Sequence, residues 1–158
     1  MVTARTEGFD HMTIVVTDLE EARRFFGLLG FEETIAVVAS GEEISAYMGI
    51  PGWESDHVTL ELKGADVHQE IQLLRFHQPP VKVDDGTGTL DRTGFNHVCF
   101  RVNDMAAMLE HLAANGITHG TRSSTTTTSC WSSSTAPAWS SNWRRWQMGE
   151  PATGAHLA

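Results

Sequence analysis

The chain has 158 residues and an ordinary 41% of apolar side chains, so it can bury one good core, held by one domain or shared between two small modules. Its formal net charge of -9 argues against nucleic acid, whose phosphates need a basic surface, and equally against an anionic membrane surface. No apolar run approaches the roughly 18 residues of a membrane span, and the N-terminus lacks the basic-then-apolar order of a signal peptide. Cys99 falls in an expected buried strand and Cys130 in a polar tail, so no disulfide is expected, and the compartment implied is a reducing cytoplasm.

Residues 1–7 are a polar lead-in. From Phe9 to Val16 the side chains alternate between two faces, which predicts a strand. Met12, Ile14 and Val16 form an apolar face suited to lie under a helix, and Phe9, His11 and Thr13 take the other. Asp18 stands where a helix N-cap is wanted, and Glu21 adds a possible capping box. Leu19, Ala22, Phe25, Phe26 and Leu29 make one helical stripe, and Gly30 suits the left-handed residue after the helix. Strands are then expected at Glu32 to Ala39, His57 to Lys63 and Gln69 to Phe76, with a short apolar segment, Ile44 to Ile50, before the Pro51-Gly52 turn. This is the content of a βαβββ module, at residues 1–78. Residues 79–93, with Pro79-Pro80 and Gly86-Thr87-Gly88, read as a linker.

The opening pattern then returns at an offset of 86 residues. Gly8/Gly94, Phe9/Phe95, His11/His97, Val16/Val102, Asp18/Asp104 and Gly30/Gly116 are identical pairs, and the register holds without a gap. A self-match of this length points to a duplicated unit, so residues 94–120 begin a second module. Val98, Phe100 and Val102 repeat the apolar strand face, and Met105, Met108, Leu109 and Leu112 the helical stripe. His11 and His97 each sit early on a strand, facing away from the helix.

Beyond about Gly120 the composition changes. Gly120 to Gly149 contains no Val, Ile, Leu, Phe, Asp or Glu, is dominated by Ser and Thr, and holds four of the five tryptophans. Nothing in Arg122 to Arg145 supports alternating strands. One reading of residues 121–158 is a low-complexity tail, but such tails rarely collect Trp131, Trp139, Trp143 and Trp146. The other is a shifted reading frame. With GC-rich codons read from their third base, Arg122 to Trp146 become Val-Val-Asp-Asp-Asp-Asp-Glu-Leu-Leu-Val-Val-Val-Asp-Arg-Ala-Gly-Val-Val-Val-Glu-Leu-Ala-Ala-Leu. Those are two apolar strands around a glycine turn, which the second module otherwise lacks.

Phe9-Asp10-His11, Asp18-Leu19, Phe25-Phe26, Leu29-Gly30-Phe31 and Phe95-Asn96-His97 together resemble the vicinal oxygen chelate superfamily, the glyoxalase, bleomycin-resistance and ring-cleaving dioxygenase group. The resemblance covers residues 8–117. It implies an α+β fold of two tandem βαβββ modules, a curved half-barrel sheet with helices outside, and a divalent metal in the cleft. Carried over position by position, the first-strand ligands are His11 and His97, and the last-strand ligand of module one is Gln72. The fourth position has no carboxylate in the chain as written; in the shifted frame a Glu codon spans Ser141 and Asn142. Glu61 and Glu70 are rival carboxylates, and His57 is either a strand-edge histidine or a weak substrate contact. The other histidines read as ordinary surface or loop residues.

Two imidazoles, an amide oxygen and a carboxylate suit Mn, Fe, Co, Ni or Zn with open positions for two neighbouring substrate oxygens. The expected function is therefore a metal-dependent enzyme of isomerase, lyase or dioxygenase type acting on a small oxygen-chelating metabolite. The alternative is a metal-free small-molecule binder like the bleomycin-resistance proteins. A homodimer is expected, because dimers are common in the family and a lone open sheet leaves edges exposed.

Overall fold

The computed structural model describes residues 4–82, 93, 98–117 and 130–132. The chain divides into two compact units, Met1–Lys82 and Val83–Ala158.

In the first unit the described elements run β1 (His11–Val15), α1 (Leu19–Leu28), β2 (Phe31–Ser40), α2 (Glu42–Met48), β3 (Glu54–Leu62) and β4 (Glu70–Gln78). The strands form one open, curved four-stranded sheet in the order β1-β4-β3-β2. β1 lies parallel to β4, and β3 is antiparallel to both of its neighbours, β4 and β2. The fold is thus mixed α+β, as the alternation of the sequence implies.

The core lies between α1 and one face of this sheet. Leu19, Ala22, Phe25 and Phe26 are the buried stripe of α1, set against Val16, Phe31, Val58, Leu60, Ile71 and Leu73, all at most 5% exposed. Each side chain of this size contributes about 1.5–3 kcal/mol when fully buried. Phe25 meets Phe26 edge to face at 5.2 Å between centroids, and Phe26 meets Phe31 at 6.0 Å. These contacts leave the opposite face of β1, β4 and β3 for other work.

The helix starts as expected: the amide of Glu21 donates to Asp18 Oδ1 at 2.9 Å. The capping box does not close around it. The carboxylate of Glu21 instead accepts from Arg24 Nε at 2.8 Å and Nη2 at 2.6 Å, three residues on. Gly30 follows the Leu29 cap with φ +91.

The segment read as merely apolar, Ile44 to Ile50, is mostly the helix α2, bounded by Gly41 at φ +111 and by Gly49 at φ +68. None of its residues is buried, so it carries no core-facing stripe to betray it. Ser45 closes its first turn onto the Gly41 carbonyl at 2.7 Å and accepts the amide of Trp53 at 3.0 Å.

The second unit shows β5 (Cys99–Arg101), α3 (Met105–Ala114) and β6 (Cys130–Ser132) among the described residues. Asp104 caps α3 as Asp18 caps α1, accepting the amide of Ala107 at 3.0 Å, and Leu109 and Leu112 are its buried residues. β6 pairs antiparallel with β5, Phe100 opposite Trp131. A short strand therefore forms inside a stretch where alternation gave no sign of one. Three residues are too few for a face pattern, and the pairing is made by main-chain groups.

No helix among the described residues is long and apolar enough to cross a membrane.

Candidate functional site

The face of the first sheet turned away from α1 is built in rows set by strand register. His11 on β1 lies opposite Glu70 on β4, which lies opposite Glu61 on β3. The next row is Thr13, Gln72, Thr59 and, on β2, Ile35. Beyond it come Leu74, His57 and Val37, and then Phe76, Ser55 and Ala39. One end of the face is ionic and amide-rich; the other is apolar and aromatic. Trp53 closes the apolar end, its ring 4.5 Å from that of Phe76.

His11 and Gln72 therefore share a face on neighbouring strands, one row apart. Each has its second polar atom tied to a carboxylate. His11 Nδ1 lies 2.7 Å from Asp10 Oδ2, and Gln72 Nε2 donates to Glu70 Oε1 at 2.7 Å. Thr13 Oγ1 donates weakly to Gln72 Oε1 at 3.4 Å. The other oxygen of Glu70 is 3.3 Å from His68 Nε2, and Glu61 pairs with Lys63 at 3.2 Å. The rival carboxylates Glu70 and Glu61 are both engaged by neighbouring side chains, while the carboxylate contacts of His11 and Gln72 use Nδ1 of the one and Nε2 of the other, and Gln72 Oε1 holds the weak Thr13 contact.

His57 lies on the same face, between the amide row and the aromatic end. Its Nε2 is buried and has no hydrogen-bond partner among the described residues, and the same holds for Ser55 Oγ and Trp53 Nε1. His77 is a surface residue of a strand. It lies in β4 and pairs through Nε2 with Asp56 at 3.1 Å, where Arg75 also holds Asp56 at 2.8 Å. His97 and the tail positions around Ser141 and Asn142 lie outside the described residues, and among the described residues no three His, Cys, Asp or Glu side chains form a metal-holding group.

The donor chemistry of the first unit fits half of a divalent-metal site. An imidazole nitrogen and an amide oxygen are both neutral donors of the kind borderline and hard cations accept. Each has one polar atom bonded to a carboxylate, an arrangement that is also common among the ligands of metal sites. Sequence reasoning did not assign Asp10 or Glu70 this supporting part. For Glu70 the signal was present: Glu70 and Gln72, two apart on one strand, must share a face.

The sequence matches the family model of the Glyoxalase/Bleomycin resistance protein/Dioxygenase superfamily over residues 10–129. With most of its length matched, the chain belongs to that superfamily. Among solved structures it is similar to a glyoxalase family protein from Bacillus cereus, at 27% identity and a TM-score of 0.65, covering 73% of this chain and 76% of that one. It also matches the crystal structure of SMU.1112c, at 22% identity and a TM-score of 0.45, covering 72% and 77% of the two chains. No curated protein matches the sequence.

Proposed function

We propose that this protein is a divalent-metal-dependent enzyme of isomerase, lyase or dioxygenase type acting on a small oxygen-chelating metabolite. His11, Gln72 and His97 hold the metal, which is Mn, Fe, Co, Ni or Zn. The observation that carries this reading is the pairing of His11 and Gln72 on one face, each steadied by a carboxylate on its non-ligating atom. A bound metal supplies a Lewis acid that stabilises negative charge developing on a substrate oxygen. The chain's own residues do the rest. His11 and Gln72 fix the metal end, Leu74 and Phe76 make the neighbouring rows of that face apolar, and His57, on the same face with its Nε2 buried, is the weaker candidate for a substrate contact.

The test is metal content. Protein prepared in metal-supplemented medium carries a divalent ion in stoichiometric amount by plasma mass spectrometry. His11→Ala costs at least the roughly 10–100-fold in affinity typical of removing a ligand's supporting partner. Metal-free protein whose small-molecule affinity survives His11→Ala supports the second reading, a binder of the bleomycin-resistance type. That reading is favoured by Val15, Ile35 and Val37, which are exposed on the same face. A homodimer in the reducing cytoplasm belongs to either reading.

We further infer that residues 121–158 are read out of frame, and that the natural second module ends in two apolar strands carrying the fourth ligand, a glutamate. The composition break at Gly120 and the recovery of a hairpin with a Glu in its last strand support this.

A further inference from the structure

We propose that Glu70 is a positioning residue, which turns the amide of Gln72 so that its oxygen, not its nitrogen, faces the cation; this rests on the metal reading above. A glutamine can bind a cation only through Oε1, because its Nε2 has no lone pair to give and presents hydrogens. The two ends of the amide are nearly the same size, so an unguided Gln72 offers the wrong end as readily as the right one. Glu70 removes that freedom. An ionised carboxylate only accepts, so the atom 2.7 Å from Glu70 Oε1 has to be the Nε2–H group. Such charge-assisted bonds are about twice as strong as neutral ones. Oε1 is then left facing the Thr13 hydroxyl at 3.4 Å.

The register supplies the geometry. Glu70 and Gln72 sit two residues apart on β4, so their side chains leave the same face about 7 Å apart. Glu70 is held in turn by His68 on its other oxygen, and its side chain is 16% exposed, which limits competition from water. Both carboxylate oxygens are therefore engaged by neighbouring side chains. Asp10 treats His11 in the same way: with Nδ1 against Asp10 Oδ2 at 2.7 Å, Nε2 is the nitrogen left for a ligand. The pair Asp10–His11 is more exposed, with 85% of the Asp10 side chain open, so Glu70 is the more constrained of the two.

Calorimetric titration of the full chain with Co(II), read together with the visible Co(II) spectrum, tests this. Gln72→Ala gives the largest loss of affinity. Glu70→Ala gives a loss of about 10–100-fold with the spectrum unchanged, because the ligand set is intact but unheld. Glu70→Gln keeps the reach of the side chain, but its amide can present either end to Gln72, so its affinity falls between those of wild type and Glu70→Ala, with the spectrum unchanged. It also serves as the isosteric variant should Glu70→Ala fold poorly. The proposal is overturned if Glu70→Gln binds as weakly as Glu70→Ala with an altered spectrum while Gln72→Ala binds normally, since Glu70 is then itself the ligand. It is overturned too if both Glu70 variants bind as wild type. Failure of the wild-type chain to bind Co(II) at all is a different result, which removes the metal reading and this one together.

Discussion

Asp56 sits on the helix-side face of β3, between Arg75 and His77. Burial pushes its carboxyl up, but the His77 and Arg75 contacts outweigh this and hold it below its ordinary value. A carboxyl depressed in the folded state stabilises the fold above its unfolded pKa, and that contribution is lost as pH falls through the folded one. Asp56→Asn should therefore lower stability by about 1 kcal/mol near neutral pH, and the gap should close as the medium is acidified. Thermal melts of the two chains over a pH series measure it. A gap that stayed constant into acid would mean that packing, not the ion pairs, sets the loss. At this scale alternation alone put His11 on the face away from the helix. The register was not legible. Gln72 stands opposite Thr13 rather than His11, and that offset depends on where β4 begins after the Gly64 turn, which side-chain pattern does not reveal.

Whole elements were more legible than single contacts, because caps and stripes repeat. Asp18 and Asp104 could be read as N-caps, and each accepts the amide three residues on. Asp18→Ala should cost about 1 kcal/mol of first-unit stability, seen as a lower denaturant midpoint with an unchanged slope. Gly30 separates backbone cost from crowding. A Cβ there would meet only Leu62 Cδ1 at an ordinary 3.5 Å, yet φ is +91. Gly30→Ala should still destabilise by roughly 1 kcal/mol or more, since the strain lies in the left-handed backbone itself. Gly27→Ala is the control: it has open space and lies within the helix, so it should be neutral or mildly stabilising. What was not legible was α2, whose seven residues bury nothing and so leave no period to read. The possible capping box at Glu21 was undecidable for a related reason: a carboxylate in a first turn has two takers, the cap amide and a basic residue a turn on, and here Arg24 takes it.

For the molecule as a whole, the first module could be read nearly to its ends, because each of its strands has a helix or strand partner that demands a patterned face. The second module loses that pattern at Gly120: from there to Gly149 Ser and Thr dominate and no branched aliphatic residue occurs. Resequencing the gene through codons 115–150 should find a single base missing or added near codon 120. The chain translated from the corrected gene should bind Co(II) more tightly than the chain as written, by the contribution of one carboxylate. A gene that confirms the frame as written would leave the second module short of its hairpin and favour the binding reading. The parallel pairing of β1 with β4 has a consequence for time rather than strength. Thr13 and Gln72 meet although 59 residues apart in the chain, so this contact cannot form until the last strand of the unit has found the first. Closing so long a loop costs entropy before any contact rewards it. A cation bridging those two strands would act as a late-fastened clasp, slowing the chain's escape from the folded state far more than it hastens arrival there.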